Sequence, residues 1–518
     1  MRTFRIADAM LVMTAVLAQL SSDAGAAVTR LEVTSKAPYG SFKPGDYTRW
    51  DARIVGELSP TVEAIPDLGK APRNARGMVE YSTRLTLIAP TDPERGNGAL
   101  LIDVPNRGRA ISLSLFNSPR QTPILLGSLD QGTGFLQDYG YTIAVVPWEL
   151  SYGVNLPTFT GSDGKPRYMQ SAAFAIVRDV ADFLANAAVD GAGQRNPLAG
   201  TINRTLALGY SQTGRFLKTF LFRGFNMAEG RRVFAGMHIL GAAGGHILLG
   251  SDPGPTSVAG VTPTFADPEV RGFSEDPLAI ADIVEMVGKR SEVAPHLLFV
   301  NTTTDYSSLR SSLGRTGGVG EQDKPLPTNV RMYDIAGASH ALIPGKNQCK
   351  YPYAILDWHP VMRSTLLVLD RWVSSNAPPP PSELMPLRAA GDDPTVLRVP
   401  AHLPKAVIQV PLLDPDGNAT GGVRLPDIVA PLGTHAIQNP PLSFLCSLGA
   451  GYVAFAKTKE ERDAVNDSRP SLAERYKDRN DYLNRVRAAA RELERHRLLL
   501  SEDEAVILDA AAESAVPK

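Results

Sequence analysis

The stretch Thr205-Leu206-Ala207-Leu208-Gly209-Tyr210-Ser211-Gln212-Thr213-Gly214-Arg215-Phe216 constrains the fold more than any other part of the chain. An apolar run of strand character meets Gly-x-Ser and passes at once into a helical pattern. Such a junction mounts a serine on a sharp strand-to-helix turn, with its Oγ lifted clear of the sheet. The helix that follows points free N–H groups and its positive dipole end at the same spot. A serine so placed is equipped to attack a carbonyl, and donors already stand where the oxyanion would form.

The rest of the pattern fits that junction. Buried apolar strands are expected at 98–104, 141–146, 205–208, 237–240, 297–301 and 330–335. Helical periods lie between them at 168–187, after Ser211 to about 225, and at 361–373. Buried strands alternating with helices predict an α/β fold, a mostly parallel sheet covered on both faces. Residues 27–95 read as an N-terminal β-rich part and 96–376 as the core. The proline-rich segment 246–295 reads as a cap insertion. Residues 377–518 begin at the proline run 378–381 and continue as an extension packed on the core, ending in helical hairpins.

The 518 residues carry 53 Lys plus Arg against 54 Asp plus Glu, a net charge of −1. That balance gives no electrostatic footprint for nucleic acid. Residues 1–26 have the parts of a secretory signal: Arg2 and Arg5, an apolar run over 10–20, and Ala24-Gly25-Ala26 as a cleavage site. The expected location is therefore periplasmic or secreted. No other stretch approaches the length of a membrane span, so no stable membrane anchor is expected. Cys349 and Cys446, the two cysteines, could pair in an oxidising compartment or remain buried thiols. They are too few for a cysteine metal site, and the histidines show no metal-binding spacing, so neither metal nor cofactor is expected. The glycine-rich run from Gly241 to Gly245 lacks the Lys-Ser/Thr of a phosphate loop and reads as close packing near the turn.

A nucleophilic serine on this type of sheet needs an acid and a histidine later in the chain, each just after a strand. Asp305 follows the strand at 297–301, and His340 follows the one at 330–335. The expected triad is Ser211 as nucleophile, His340 as base and then acid, and Asp305 as the carboxylate that orients the imidazole. Asp334 lies inside its strand, His359 stands before Pro360 at the mouth of a helix, and Glu321 and Asp323 sit in a polar loop, so these are weaker candidates. The oxyanion hole is expected to use the Gln212 N–H together with that of Arg107 or Gly108, in the turn after the strand at 98–104.

The nucleophile segment 209–216, with Gly224-Phe225-Asn226 behind it, resembles that of a bacterial family known as α/β-hydrolase domain-containing proteins, where it reads Gly-Tyr-Ser-Gln-Ser-Gly-Arg-Phe. The Asn106-Arg107-Gly108 turn, the Asp305-Tyr306 pair, Ala336-Gly337 with His340, and the tail Asp467, Arg469-Pro470-Ser471-Leu472 and Arg475-Tyr476 also look like that family. The resemblance implies an α/β-hydrolase fold and a triad on Ser211, Asp305 and His340. Two departures stand out. Thr213 replaces serine, and its β-branch is expected to crowd the turn. The acid is Asp305 followed by Tyr306-Ser307, where relatives often carry glutamate followed by Tyr-Trp.

The chemistry expected of such a chain is hydrolysis of a carboxylic ester, small or polymeric, through an acyl-enzyme. Amidase, thioesterase or acyltransferase chemistry on the same residues, or a non-catalytic binding role, are the alternatives. The sequence leaves substrate and oligomeric state open.

Overall fold

The computed structural model describes residues 27–516, apart from 62–64, 120–121, 123–125, 248, 250, 253–275, 318–321, 344–347, 398, 400–402, 404, 442 and 515. The signal segment 1–26 and half of the expected cap, including 253–275, lie outside the described residues.

One ten-stranded sheet organises the chain. Its strands are β1 (Val28–Phe42), β2 (Gly45–Leu58), β3 (Val79–Pro90), β4 (Ala99–Asp103), β5 (Thr142–Val145), β6 (Val154–Asn155), β7 (Arg204–Tyr210), β8 (Gly236–Leu240), β9 (His296–Thr302) and β10 (Val330–Ile335). They run in the order β1-β2-β3-β5-β4-β7-β8-β9-β10, with β6 beside β3. From β5 to β10 every neighbouring pair is parallel. Among the helices are α1 (Ser112–Phe116), α2 (Ala172–Asn186), α3 (Gln212–Phe222), α4 (Ile280–Lys289), α5 (Thr303–Ser308), α6 (His359–Ser375), α7 (Arg479–Arg495) and α8 (Ser501–Ala512).

The period-2 alternation of the strands splits their side chains between two cores. Leu100, Ile102, Ala207, Met237, Ile239, Leu297 and Phe299 face one core, where α2 and α3 supply Phe174, Phe216 and Phe220. Leu101, Leu206, Leu208, Leu240, Leu298 and Val300 face the other, filled by α6 and α7 through Val361, Leu366, Leu369, Val486 and Leu493. Phe174 lies 4.7 Å from the Phe216 ring and so locks α2 to α3. The helix in the described part of the expected cap, α4, lies against α3; Arg290 beyond it donates to the Phe222 and Leu221 carbonyls at the C-terminal end of α3.

The N-terminal strands extend the main sheet. β1, β2 and β3 form an antiparallel meander, and β3 pairs with β5 through Thr86–Val145, Leu87–Ala144 and Ile88–Ile143. Leu85 and Leu87 enter one core and Ile88 the other, so the meander shares the cores of the parallel strands. At the opposite edge, the chain after the proline run covers β10: Glu383 exchanges backbone hydrogen bonds with Met332 and Asp334, and Val423 does so with Asp334 and Ala336. That strap removes an open sheet edge. Cys349 and Cys446 form a disulfide with their Cα atoms 5.8 Å apart. Among the described residues no helix is long and apolar enough to cross a membrane.

Candidate active site

β4 is the point where the chain changes direction across the sheet, since β5 lies on one side of it and β7 on the other. Loops leaving the carboxyl ends of strands at such a switch point form a crevice. The turn after β4, the turn after β7, and the segments after β9 and β10 therefore converge, and they carry Arg107, Ser211, Asp305 and His340.

Ser211 links β7 to α3 with φ 59° and ψ −112°, a conformation that costs on the order of 1–3 kcal/mol for a residue with a Cβ. The surroundings hold it there. The Ser211 N–H donates to the Leu240 carbonyl at 2.8 Å. Gly209 is required because a Cβ there would stand 2.5 Å from the Thr213 carbonyl oxygen, and at Gly214 one would stand 2.8 Å from the Ala242 Cβ. Thr213 does not crowd the turn as expected. Its hydroxyl accepts from the Tyr210 N–H at 2.9 Å and reaches the Tyr210 carbonyl at 3.2 Å. The hydroxyl thus bridges the strained corner.

His340 and Asp305 meet. The imidazole Nδ1 lies 2.6 Å from Asp305 Oδ1, and both residues are buried. Asp305 is fixed by its own helix start, where Oδ2 accepts the Thr302 N–H at 2.7 Å. The His340 N–H donates to Thr304 Oγ1 at 2.7 Å, so α5 holds the histidine by both backbone and ring. Tyr210, adjacent to Ser211, stacks on the His340 ring at 5.0 Å and 21°, and its hydroxyl donates to the His340 carbonyl at 2.7 Å. Burial, then the Asp305 charge, pushes the Tyr210 phenol well above its usual range, so it remains a donor. Gly241, with φ 53°, lies under this pair: a Cβ there would be 2.9 Å from His340 Cε1 and Nδ1 and 3.3 Å from Asp305 Oδ2. The glycine-rich run is a packing device. Buried Lys218 gathers it by donating to the Ala243, Gly244 and Gly245 carbonyls at 3.0, 3.4 and 3.2 Å.

The turn after β4 is equally constrained. Arg107 and Gly108 have φ 50° and 72°, closed by reciprocal backbone bonds between Asn106 and Arg109. Two consecutive positive φ values are those of a type I′ turn. Gly108 is required because a Cβ would meet Tyr152 at 2.5 Å. Asn106 Nδ2 donates to the Tyr210 carbonyl at 3.0 Å and so ties this turn to the serine turn. Neither the Arg107 nor the Gly108 N–H has a hydrogen-bond partner among the described residues. Gln212 opens α3, so its N–H belongs to the first turn that a helix leaves unsatisfied. Its side-chain Nε2 donates to buried Glu149 at 3.1 Å. Below the turn, Asp103 Oδ2 accepts the Ile111 and Ser112 N–H groups at 2.8 and 2.7 Å, with its pKa raised to about 6 chiefly by burial.

The rival candidates are engaged elsewhere. Asp334 accepts from Tyr306 Oη at 2.8 Å, Asn301 Nδ2 at 3.1 Å, the Met385 N–H at 3.0 Å and Arg315 Nη1 at 3.3 Å. His359 Nδ1 pairs with Asp357 Oδ1 at 2.7 Å at the start of α6. Asp323 binds Arg315, and Glu321 lies outside the described residues. Sequence reasoning missed Asn106, Tyr210 and Thr304 as elements of the site. Tyr210 and Asn106 stood inside segments already singled out, but their partners are far away in the chain. Among the described residues no group of three or more His, Cys, Asp or Glu side chains could hold a metal ion.

A mostly parallel sheet, a strained serine between β7 and α3, and a carboxylate and imidazole that meet after β9 and β10 define the α/β-hydrolase class. Residues 149–509 match the family model described as alpha/beta hydrolase domain, and the chain belongs to that family. No curated protein matches. Solved structures with a likeness to the chain include three esterases or hydrolases. S-formylglutathione hydrolase FrmB from Staphylococcus aureus is 13% identical, with TM-score 0.24, covering 49% of this chain and 80% of that one. The rice cell wall degrading esterase LipA from Xanthomonas oryzae is 10% identical, with TM-score 0.29, covering 60% and 91%. The glucuronoyl esterase from Solibacter usitatus is 12% identical, with TM-score 0.26, covering 61% and 82%.

Proposed function

We propose that the chain is an exported serine hydrolase that cleaves carboxylic esters through an acyl-enzyme on Ser211. The observation that carries the reading is the buried His340–Asp305 pair, 2.6 Å apart and stacked against the residue next to Ser211. With Nδ1 committed to Asp305, the imidazole keeps Nε2 as the base for the Ser211 hydroxyl. Ser211 Oγ attacks the ester carbonyl as His340 takes its proton. The tetrahedral oxyanion is met by the Gln212 N–H and by that of Arg107 or Gly108. Collapse expels the alcohol, which receives the proton from His340. Water then attacks the acyl-enzyme with His340 again as base, releasing the acid and restoring Ser211. The signal-like residues 1–26 and the Cys349–Cys446 disulfide both suit an oxidising compartment outside the cytoplasm.

The test is labelling of the purified protein by a fluorophosphonate, with the site read by peptide mass spectrometry, beside turnover of p-nitrophenyl acetate. Label on Ser211, and loss of both label and turnover in Ser211→Ala, is the expected result. An unlabelled, inactive wild-type protein would leave a binding protein of the same fold, and label on another serine would move the nucleophile.

A further inference from the structure

Arg107 is an unusual residue to find at the corner of this turn. Its backbone sits at φ 50°, a conformation that most side chains avoid, and the Asn106–Arg109 bonds hold it there. Asn106 Nδ2 in turn binds the carbonyl of Tyr210, the residue before Ser211. The Arg107 side chain therefore starts from a rigid point beside the candidate nucleophile. It is half-buried, and among the described residues its guanidinium donates one hydrogen bond, to the neutral oxygen Asn106 Oδ1 at 3.1 Å. Most of its five N–H groups are unspent.

The charges around it do not make up for the lost water. Burial pushes the Arg107 pKa down, Glu149 and more weakly Tyr152 act in the opposite sense, and Arg215 and Arg109 lower it further. Glu149 is itself buried and accepts from Gln212. A partly dehydrated guanidinium that Glu149 compensates only in part is a standing cost that an anionic ligand would relieve. A carboxylate matches its planar fork through two parallel hydrogen bonds. The proximity of Glu149 favours a singly charged group over a doubly charged phosphate.

Resting on the hydrolase reading above, we propose that Arg107 is an anion subsite beside Ser211, and that the substrate is an ester whose acid or alcohol part carries a free carboxylate. The side chain acts in ground-state binding, separately from whichever backbone amide of the turn serves the oxyanion. Glycine at 108, where any Cβ would strike Tyr152, keeps the corner in the one shape that presents both functions.

The experiment compares kcat/KM for two acids with their neutral methyl esters: p-nitrophenyl hemisuccinate with p-nitrophenyl methyl succinate, and 4-acetoxybenzoate with methyl 4-acetoxybenzoate. The first pair places the carboxylate on the acyl side and the second on the alcohol side. Wild-type protein should favour the acid of at least one pair by about tenfold or more, mainly through KM. Arg107→Gln should abolish that ratio. Arg107→Lys keeps the charge without the fork, so it should retain only part of the ratio, and it carries the test if Arg107→Gln does not fold. Label on Ser211 without any preference for the acids overturns the anion subsite alone, as does a preference that survives intact in both variants. No label and no turnover of any of the four esters overturns the hydrolase reading and this proposal with it.

Discussion

Replacing Asp305 with asparagine exchanges one oxygen for an NH2 in a site that fixes which way the new amide must face. Oδ2 of Asp305 accepts the Thr302 N–H at 2.7 Å, and Oδ1 receives His340 Nδ1 at 2.6 Å. An amide NH2 cannot face the Thr302 N–H, because two donors would then meet. The amide oxygen takes that place, and the NH2 turns to the imidazole. Nδ1 must then accept, so the ring proton moves to Nε2 and His340 can no longer take the Ser211 proton. The same tautomer inversion costs on the order of 10⁴-fold in kcat in a serine protease triad, equivalent to about 5.5 kcal/mol of barrier. No other carboxylate stands ready, since Asp334 is held by Tyr306 and Arg315 and Asp357 by His359. Folding should suffer little, by roughly 1 kcal/mol, because both hydrogen bonds persist in neutral form. The assay is kcat on p-nitrophenyl acetate beside urea unfolding of the same preparation. A folded Asp305→Asn variant within tenfold of wild-type kcat would refute the reasoning and place the acid elsewhere.

Further outcomes follow from other parts of the structure. Gly241→Ala puts a methyl 2.9 Å from the His340 ring at a residue with φ 53°, so kcat should fall about 100-fold, and an unchanged kcat would separate this glycine from the imidazole. Reduction of Cys349–Cys446, which closes a span of 97 residues, should cost about 4–5 kcal/mol in urea unfolding in the chain-entropy model; an unchanged midpoint contradicts this. Burial lowers His238 to about 3 and His435 to about 4. Between those values and about 6.5 the unfolded chain binds the extra protons, so each histidine makes stability fall with falling pH, by up to about 1.4 kcal/mol per unit. Asp103, raised to about 6, acts oppositely, its contribution being lost as pH rises. Comparing wild type with His238→Gln between pH 7 and 5 isolates the histidine, whose removal should flatten the acid loss; an identical slope would refute the assignment.

The candidate site was legible where local chemistry decides the structure. Gly209, Ser211 and Gly214 announced a tight turn because only glycine fits against Thr213 and Ala242. Chain order singles out Asp305 and His340 as the first acid and histidine after two apolar strands, and the structure brings those two side chains together. What could not be read were contacts made across the sheet. Tyr210 alternates with Gly209 along β7, and nothing in its neighbours shows that a histidine 130 residues away stacks on its ring. Thr213 was misjudged from bulk, since its hydroxyl and not its methyl settles its place in the turn. The N-terminal strands showed their alternation clearly, yet Leu87 and Ile88 pointing to opposite cores is also what a separate sandwich would display. Only the pairing of β3 with β5 decides between the two.

The measurement that bears most directly on the account is a crystal structure of the protein after reaction with a fluorophosphonate. The account predicts phosphorus bonded to Ser211 Oγ, His340 Nε2 within hydrogen-bond reach of that oxygen, and the phosphonyl oxygen accepting from the Gln212 N–H at about 3 Å. An adduct on a different side chain, or one on Ser211 with His340 turned away and the phosphonyl oxygen pointing to solvent, would contradict it.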